Sequence, residues 1–228
     1  MDKQRRALLV AGAVTILLSA VGLVLYGLTI EATARSILGD VSALRVGGSS
    51  MQQVEAVAAR HKHWIQEKSC DGPKCFVAFE VYNTWLYRLK LEPLARFRAS
   101  VAVSGGTVDH IGIELSRDTG AFPTYPSAGI TSEYLTYPAQ IRRLGSASYW
   151  FPTPVGKPYL RVALTAQASD VQRQHAYAYS LTCLVKPGRG CDLPCDYLPL
   201  AWHDWEDELS KQGWGGFGGY YTMRARCP

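Results

Sequence analysis

The sequence predicts an α+β protein in which one N-terminal transmembrane helix precedes a mainly antiparallel sheet, packed by two or three helices and stapled by disulfides. Three observations predict this fold: an uncharged apolar run, several period-two apolar segments joined by short turns, and six cysteines that all follow the run. We expect a cytoplasmic tip (1–6), the transmembrane helix (7–30), a juxtamembrane linker (31–41) and one extracytoplasmic domain (42–228).

The first element is the apolar run, residues 7–30, which contains no charged side chain. As a helix it would span about 36 Å, against about 30 Å for the hydrocarbon core of a bilayer. Lys3, Arg5 and Arg6 precede it, so the positive-inside rule puts the N-terminus in the cytoplasm and the domain outside. Residues 32–34 (Ala-Thr-Ala) offer the alternative of a cleaved signal peptide, but the apolar core of a signal peptide is usually about 7–15 residues long. We therefore predict an uncleaved single-pass anchor in the inner (plasma) membrane, which contacts lipid through 7–30.

Composition excludes two classes of protein. Hydrophobic residues make up 47% of the chain, which is too many for a disordered protein. The net charge is +5, and the basic cluster of the first six residues contributes part of it. The remaining charge is too balanced for a nucleic-acid footprint, so no nucleic-acid partner is expected.

Three segments predict helices in the domain. Ser50 and Gln53 have the spacing of a capping box before an apolar helical face, and Ser169 and Gln172 repeat it before a segment that runs toward Cys183. The third helix is indicated by large apolar residues at helical spacing: Leu198, Trp202, Trp205 and Leu209.

Period-two patterns predict the strands. They occupy, in chain order, residues 43–46, 76–82, 98–103, 108–115, 130–135 and 159–165. Gly105-Gly106 predicts a hairpin between two of them. The stretch 146–158 holds three prolines and is predicted to be a long loop.

The cysteines predict a disulfide framework, because an even number confined to the part beyond the anchor is typical of an oxidising compartment. The sequence Asp71-Gly72-Pro73 forces a turn between Cys70 and Cys75 and can bring their sulfurs within bonding reach. We therefore expect a disulfide between these two residues.

The other four cysteines leave more than one arrangement open. A turn-rich linker lets Cys183 meet Cys191, and Cys195 would then pair with Cys227, although exchanging Cys191 with Cys195 is geometrically plausible. A zinc site of Cys183, Cys191, Cys195 and His203 is the alternative, since Cys191 and Cys195 have a zinc-ligand spacing. Outside the cytoplasm such thiols oxidise, which favours disulfides.

No catalytic, cofactor or metal site is assigned from the sequence. It has no Gly-x-Ser-x-Gly elbow, phosphate loop of the Walker type or Cys-x-x-Cys-His motif. His61 and His63 are two residues apart and would point to different faces of a helix, which favours a solvated or helix-terminal role. His110 and His175 have no partner that the sequence identifies.

Aromatic residues in the proline-rich middle are candidate contacts for an envelope protein or glycan, since aromatics on loops are good contact groups. They are Tyr125, Tyr134, Tyr137, Trp150 and Phe151. The alternative is that these side chains cover the open face of the sheet.

Three pieces of the sequence carry a resemblance: LRVGGSSMQQVEAVAARH, CFVAFEVYNTWLYRLKLEP and AYAYSLTCLVKPGRGC. Together they resemble a group of bacterial single-pass membrane-anchored proteins of unknown function, over much of residues 40–200. Residues 42–61 are also similar to the opening strand and helix of small lipoproteins that support outer-membrane assembly, but the chain lacks their lipid-bearing cysteine. The resemblance implies a membrane-anchored envelope protein and no particular activity.

These features together predict a membrane-tethered extracytoplasmic module that binds or scaffolds another component of the bacterial envelope. The prediction depends on a full-sized domain, a retained anchor, structural cysteines and no recognisable set of catalytic groups. The alternative is an envelope enzyme whose catalytic residues are dispersed along the sequence. A deep pocket with convergent polar groups would favour the enzyme, and an exposed aromatic patch would favour the binding module.

Overall fold

The computed structural model describes residues 3–118, 127–136, 147–150, 159–186, 191, 193–211 and 227. Within these ranges the chain forms a seven-stranded mixed sheet and six α-helices, which confirms the predicted α+β class. Five helices follow the N-terminal one, rather than the two or three expected. Two of the five have only four or five residues, too few to produce a periodic sequence pattern.

The helices are α1 (Lys3–Ser42), α2 (Met51–Arg60), α3 (Thr84–Arg88), α4 (Asp170–Ala176), α5 (Pro194–Tyr197) and α6 (Pro199–Lys211). Two short 3-10 helices cover Lys62–Trp64 and Leu181–Leu184. The strands are β1 (Ile65–Asp71), β2 (Lys74–Tyr82), β3 (Ala95–Ser104), β4 (Thr107–Arg117), β5 (Ser127–Tyr134), β6 (Ala147–Trp150) and β7 (Tyr159–Thr165).

The sheet has the strand order β1-β2-β3-β4-β5-β7-β6. Its first five strands follow one another as an antiparallel meander, while β7 pairs with β5 in parallel and with β6 antiparallel. The hairpin predicted at Gly105-Gly106 joins β3 to β4, and both glycines have positive φ, of 60° and 83°. Glycine adopts this conformation without steric cost, which explains the pair at this turn.

Helices cover one face of the sheet. In β3 every second side chain is buried from Ala95 to Val103, so the strand turns its apolar side toward the helices. On β5, a Cβ atom at Gly129 would lie only 2.9 Å from Cβ of Tyr197, at the end of α5. Glycine thus allows the backbone of β5 to approach α5 closely, and the core forms between the helices and this sheet face.

The N-terminal helix is longer than predicted. It continues without interruption to Ser42, so the expected linker at 31–41 is instead its C-terminal part. Apolar residues explain the extension, because Ile30, Ala34, Ile37 and Val41 recur at helical spacing and are all buried in the core. The strand predicted at 43–46 is wrong as well, since these residues form a turn and loop after the helix.

The two predicted capping boxes are confirmed. The hydroxyl of Ser50 accepts a hydrogen bond from the backbone N–H of Gln53, and that of Ser169 accepts one from Gln172, with both glutamines bonding back to the serine N–H. α4 stops at Ala176 rather than continuing toward Cys183. The chain forms a 3-10 helix there instead, which brings Leu181 into the core.

The predicted strands after residue 70 are all present, but two strands were not foreseen. β1 is an edge strand whose side chains are nearly all exposed, so it has no apolar alternation for sequence analysis to detect. β6 lies within the stretch that was predicted to be a long loop. It pairs with β7 at the opposite edge of the sheet.

Three disulfides cross-link the domain: Cys70–Cys75, Cys183–Cys191 and Cys195–Cys227. These are the pairs that the sequence predicts, and no cysteine is free. The first closes the β1–β2 hairpin. The third spans 32 positions and fixes Cys227 to α5, close to the start of α6.

Removing the hairpin disulfide should have a modest effect. We expect Cys70→Ser/Cys75→Ser to lower the free energy of unfolding by about 2 kcal/mol, because a short loop loses little entropy when it is closed. Guanidinium unfolding in mild detergent, followed by tryptophan fluorescence, measures this. A loss as large as that of the double variant Cys195→Ser/Cys227→Ser, which opens a much longer loop, would contradict the expectation.

Candidate functional site

One helix within the described residues is long and apolar enough to cross a membrane. The candidate span begins at Leu8, has a mean hydropathy of 2.6 in its most apolar window, and buries none of that window inside the protein. Large apolar side chains are exposed along α1 from Leu8 to Leu28. Exposure of so many apolar side chains is unfavourable in water and favourable in lipid.

The domain contacts this helix at Tyr26 and Gly27. The hydroxyl of Tyr26 donates to the carbonyl oxygen of Tyr82 (3.4 Å) and accepts from the backbone N–H of Trp85 (3.4 Å). Gly27 packs against Val185, just after the second 3-10 helix. From Ile30 onward the helix is part of the core, so one helix passes from an exposed apolar segment directly into the domain.

A surface of exposed apolar residues adjoins this contact. It comprises residues 84–91, that is, α3 and the three residues after it, and we call it the 84–91 surface. Four of its large apolar side chains are half or more exposed: Trp85 (56%), Tyr87 (51%), Leu89 (52%) and Leu91 (52%). The guanidinium of Arg88 lies 5.7 Å from the ring centre of Trp85, a cation–π distance.

Buried residues hold the 84–91 surface at both ends. Asn83 donates from its amide to the carbonyl oxygen of Pro93 (2.9 Å) and accepts from the backbone N–H of Ala95 (2.8 Å). Glu92 forms a buried ion pair with Arg117 of β4. These contacts fix both ends to the sheet, so the apolar side chains are exposed on an anchored segment.

A second cluster is polar and buried, and it joins the end of α1 to the sheet. Arg173 of α4 pairs with Glu133 of β5, with side chains only 6% and 3% exposed. The same guanidinium donates to the carbonyl oxygens of Ser42 (3.1 Å) and Leu44 (2.9 Å), at the end of α1 and just beyond it. Arg173 thereby satisfies carbonyl groups that a helix end leaves without partners.

Two tyrosines extend this cluster. Tyr177 donates to Glu133 (2.9 Å), and Tyr179 donates to the hydroxyl of Thr131 (2.9 Å) or to the carbonyl oxygen of Ile113 (3.0 Å). Burial raises the pKa of both tyrosines, so they stay neutral and act as hydrogen-bond donors. With its polar groups paired, the cluster is a structural joint rather than a reactive centre.

A third contact connects α1 to α2. Asp40 of α1 accepts from Arg60 (2.6 Å) and lies 2.7 Å from Nε2 of His61, at the end of α2. The ring of His61 is buried and meets Phe79 edge to face. Of the two roles expected for His61, solvated or helix-terminal, the structure shows the helix-terminal one. The carboxylate partner was not evident from the sequence. His175 also has a partner, Asp204, at 2.9 Å.

The outer face of the sheet carries a ladder of charged side chains across β1 to β4. Arg96 bonds to Glu114 (2.6 Å), and Arg98 lies 3.5 Å from Glu80. Opposite charges on neighbouring strands stabilise the pairing. Because the acids and bases neutralise one another, the ladder does not form a binding surface of one sign.

A pocket within the described residues lies at the β3–β4 hairpin and measures about 350 Å³. Its lining includes Ser104, Asp109, His110, Tyr134 and Leu135. The rings of His110 and Tyr134 are 4.7 Å apart, and Oδ1 of Asp109 is buried without a hydrogen bond from the described residues. Burial lowers the pKa of His110, with Asp109 opposing the shift and Arg161 adding to it.

The lowered pKa of His110 predicts a loss of stability in acid. A histidine whose pKa is lower when folded binds protons more tightly in the unfolded state, so protonation favours unfolding. Stability should fall as the pH drops below about 6.5, the usual value for an unfolded chain, toward the lower folded pKa. His110→Gln should reduce this slope in urea-unfolding profiles measured across that range. An identical slope in both proteins would contradict the prediction.

The predicted partner residues are only partly described by the structure. Tyr125, Tyr137 and Phe151 lie outside the described residues, and the side chain of Trp150 is not described although its backbone lies in β6. Tyr134 is half-buried at the pocket and its ring packs on that of His110.

The zinc alternative is not supported by the geometry. Cys183, Cys191 and Cys195 are all in disulfides, which removes the thiolates that the metal would need. Within the described ranges, no three histidine, cysteine or acidic side chains are arranged as metal ligands.

The 84–91 surface was not predicted from the sequence, although a signal was present. Trp85, Tyr87, Leu89 and Leu91 alternate with other residues as they would on one face of a half-buried strand. The backbone instead forms a helical turn, which buries Leu86 and leaves the alternating residues exposed. The buried joint of Arg173 and Glu133 had no local signal, because forty positions separate the two residues.

Comparison with known proteins gave no relationship: no family model, curated protein or solved structure matches this chain.

Proposed function

We propose that this chain is a membrane-tethered extracytoplasmic module that binds or scaffolds another component of the bacterial envelope. One observation carries the proposal: α1 is exposed and apolar from Leu8 to Leu28 and then enters the core of the domain. A tether built in this way holds a domain at a membrane without a flexible linker.

Two further observations support placing the domain on the outer side of the membrane. Lys3, Arg5 and Arg6 precede the apolar segment, which favours a cytoplasmic N-terminus in the inner membrane. Three disulfides with no free cysteine favour an oxidising compartment for the domain.

Protease added to intact spheroplasts tests both parts. We expect the domain to be digested while a cytoplasmic marker survives, and the undigested protein to stay with the membrane after alkaline extraction. The variant Lys3→Gln/Arg5→Gln/Arg6→Gln should show a smaller digested fraction, since it lacks the charges that bias orientation. Protection of the wild-type domain until lysis, or release by alkaline extraction, would refute the proposal.

The binding function needs its own test. A photo-reactive amino acid in place of Tyr134, which lines the pocket, should give a specific crosslinked adduct in cells if the module binds a protein or glycan there. The matched control places the same group at Lys68, an exposed position on β1. Adducts of equal yield at both positions, or at neither, would argue against a binding site at the pocket.

A second candidate function, an envelope enzyme, is favoured by the groups in the pocket. The lowered pKa keeps His110 neutral near pH 7, so its imidazole can accept a proton. Incubation with small molecules extracted from the envelope, followed by NMR, distinguishes the candidates. A compound that the wild type converts and His110→Gln does not would support the enzyme, and binding without conversion would support the binding module.

A further inference from the structure

We propose that the 84–91 surface docks into the outer interface of the lipid bilayer, beside the membrane-spanning part of α1. This inference rests on the proposed membrane tethering and assigns the surface a lipid partner. Its four exposed apolar side chains would lie among headgroups and the upper acyl chains rather than in water.

The position of Tyr26 along α1 supports the docking. The helix from Leu8 to Tyr26 has a length of about 28 Å, close to the roughly 30 Å of a hydrocarbon core. With Leu8 at the inner boundary, Tyr26 therefore lies near the outer one. The hydroxyl of Tyr26 contacts the backbone N–H of Trp85, which puts the 84–91 surface at that same level.

The residue types of the 84–91 surface also support a lipid partner. Tryptophan and tyrosine are enriched at membrane–water interfaces, and Trp85 and Tyr87 are both exposed here. Arg88 and Lys90 lie between the apolar residues and are also exposed. Their long side chains can extend toward phosphate groups while the neighbouring leucines enter the acyl region.

The 84–91 surface is also firmly attached to the sheet. Asn83, Glu92 and the buried side chain of Leu86 fix the segment to the sheet, so its apolar side chains cannot turn into the core. About 100° around α1 from Tyr26, Val185 packs against Gly27, and the exposed Lys186 follows it. Basic side chains from two separate segments, the 84–91 surface and Lys186, thus lie near Tyr26, which fits an anionic lipid surface.

Tryptophan quenching by brominated lipid tests the docking. The full-length protein is reconstituted in vesicles of phosphatidylcholine and phosphatidylglycerol with brominated acyl chains. The membrane-spanning part of α1 contains no tryptophan, so it adds nothing to the signal. We expect bromine to quench part of the wild-type emission and the variant Trp85→Phe to lose that part.

Two further variants sharpen the test. Trp205→Phe removes a tryptophan buried in α6 and should leave the quenched amplitude unchanged. Leu89→Ser/Leu91→Ser keeps Trp85 but weakens insertion, so its quenched fraction should fall below that of the wild type. Because both leucines are exposed, this variant should fold normally.

The outcomes separate the two proposals. Equal bromine quenching of the wild type and Trp85→Phe, in protein that resists alkaline extraction, would overturn the docking and leave the tethering intact; the surface would then be open to a protein partner. Release of the wild type by alkaline extraction would overturn the tethering and the docking together.

Discussion

Replacing Arg173 by leucine should lower the free energy of unfolding by about 3–5 kcal/mol, because the substitution leaves the buried carboxylate of Glu133 without its countercharge. It also removes the donor to the carbonyl oxygens of Ser42 and Leu44. Chemical unfolding of the full-length protein in mild detergent measures the loss. Arg173→Lys should fall between the wild type and leucine, since an ammonium group cannot reproduce the fork of the guanidinium.

A double substitution identifies the source of this loss. In Arg173→Leu/Glu133→Leu no unpaired charge remains, so the loss should be smaller than in Arg173→Leu alone. It should not vanish, because the carbonyl groups at the end of α1 still lack a donor and the hydroxyl of Tyr177 loses its acceptor, at a cost of about 1–3 kcal/mol for an unpaired group. Equal losses in the single and double variants would contradict the expectation that the unpaired charge of Glu133 is the main source of the loss.

Ile37→Ala should lower the free energy of unfolding by about 2–5 kcal/mol, the usual range for removing a large buried aliphatic side chain. Ile37 is fully buried on the part of α1 that packs in the domain. The matched control is Ile16→Ala, the same change at a residue of the same helix that is 72% exposed.

The pair tests the division of α1 into two parts. Ile16→Ala should leave unfolding of the domain unchanged within about 0.5 kcal/mol, the usual limit for an exposed position. Similar losses in both variants would mean that the N-terminal part also contributes to the domain core, contrary to its exposure.

The sequence contained enough to predict the class of fold and several of its contacts. Ser50 and Ser169 carry local capping signals, and the turn between Cys70 and Cys75 is encoded in the residues that form it. Such features depend on side chains a few positions apart, which is the range over which sequence patterns are informative. The apolar segment of α1 was visible for the same reason.

The missed features depend on distant contacts or on competing patterns. The segment predicted as a linker carries charges at 31, 35 and 40, although Ile37 and Val41 continue the apolar stripe of α1 through it. β1 is defined by its pairing with β2 and has little burial of its own. The pocket joins β4 to β5 through His110 and Tyr134, and only the folded sheet makes them neighbours.

Because α1 runs without interruption into the domain, the rotation of the domain about the helix axis depends on the number of residues in the membrane-spanning part. Each residue of an α-helix adds 1.5 Å of length and about 100° of rotation. One residue inserted near Gly22 would therefore turn the domain by about 100° about the helix axis while raising it very little. The 84–91 surface would swing around the helix with it. Each insertion or deletion in this segment therefore changes the rotation of the domain about the helix axis. A change of seven residues, close to two full helical turns, restores the original orientation.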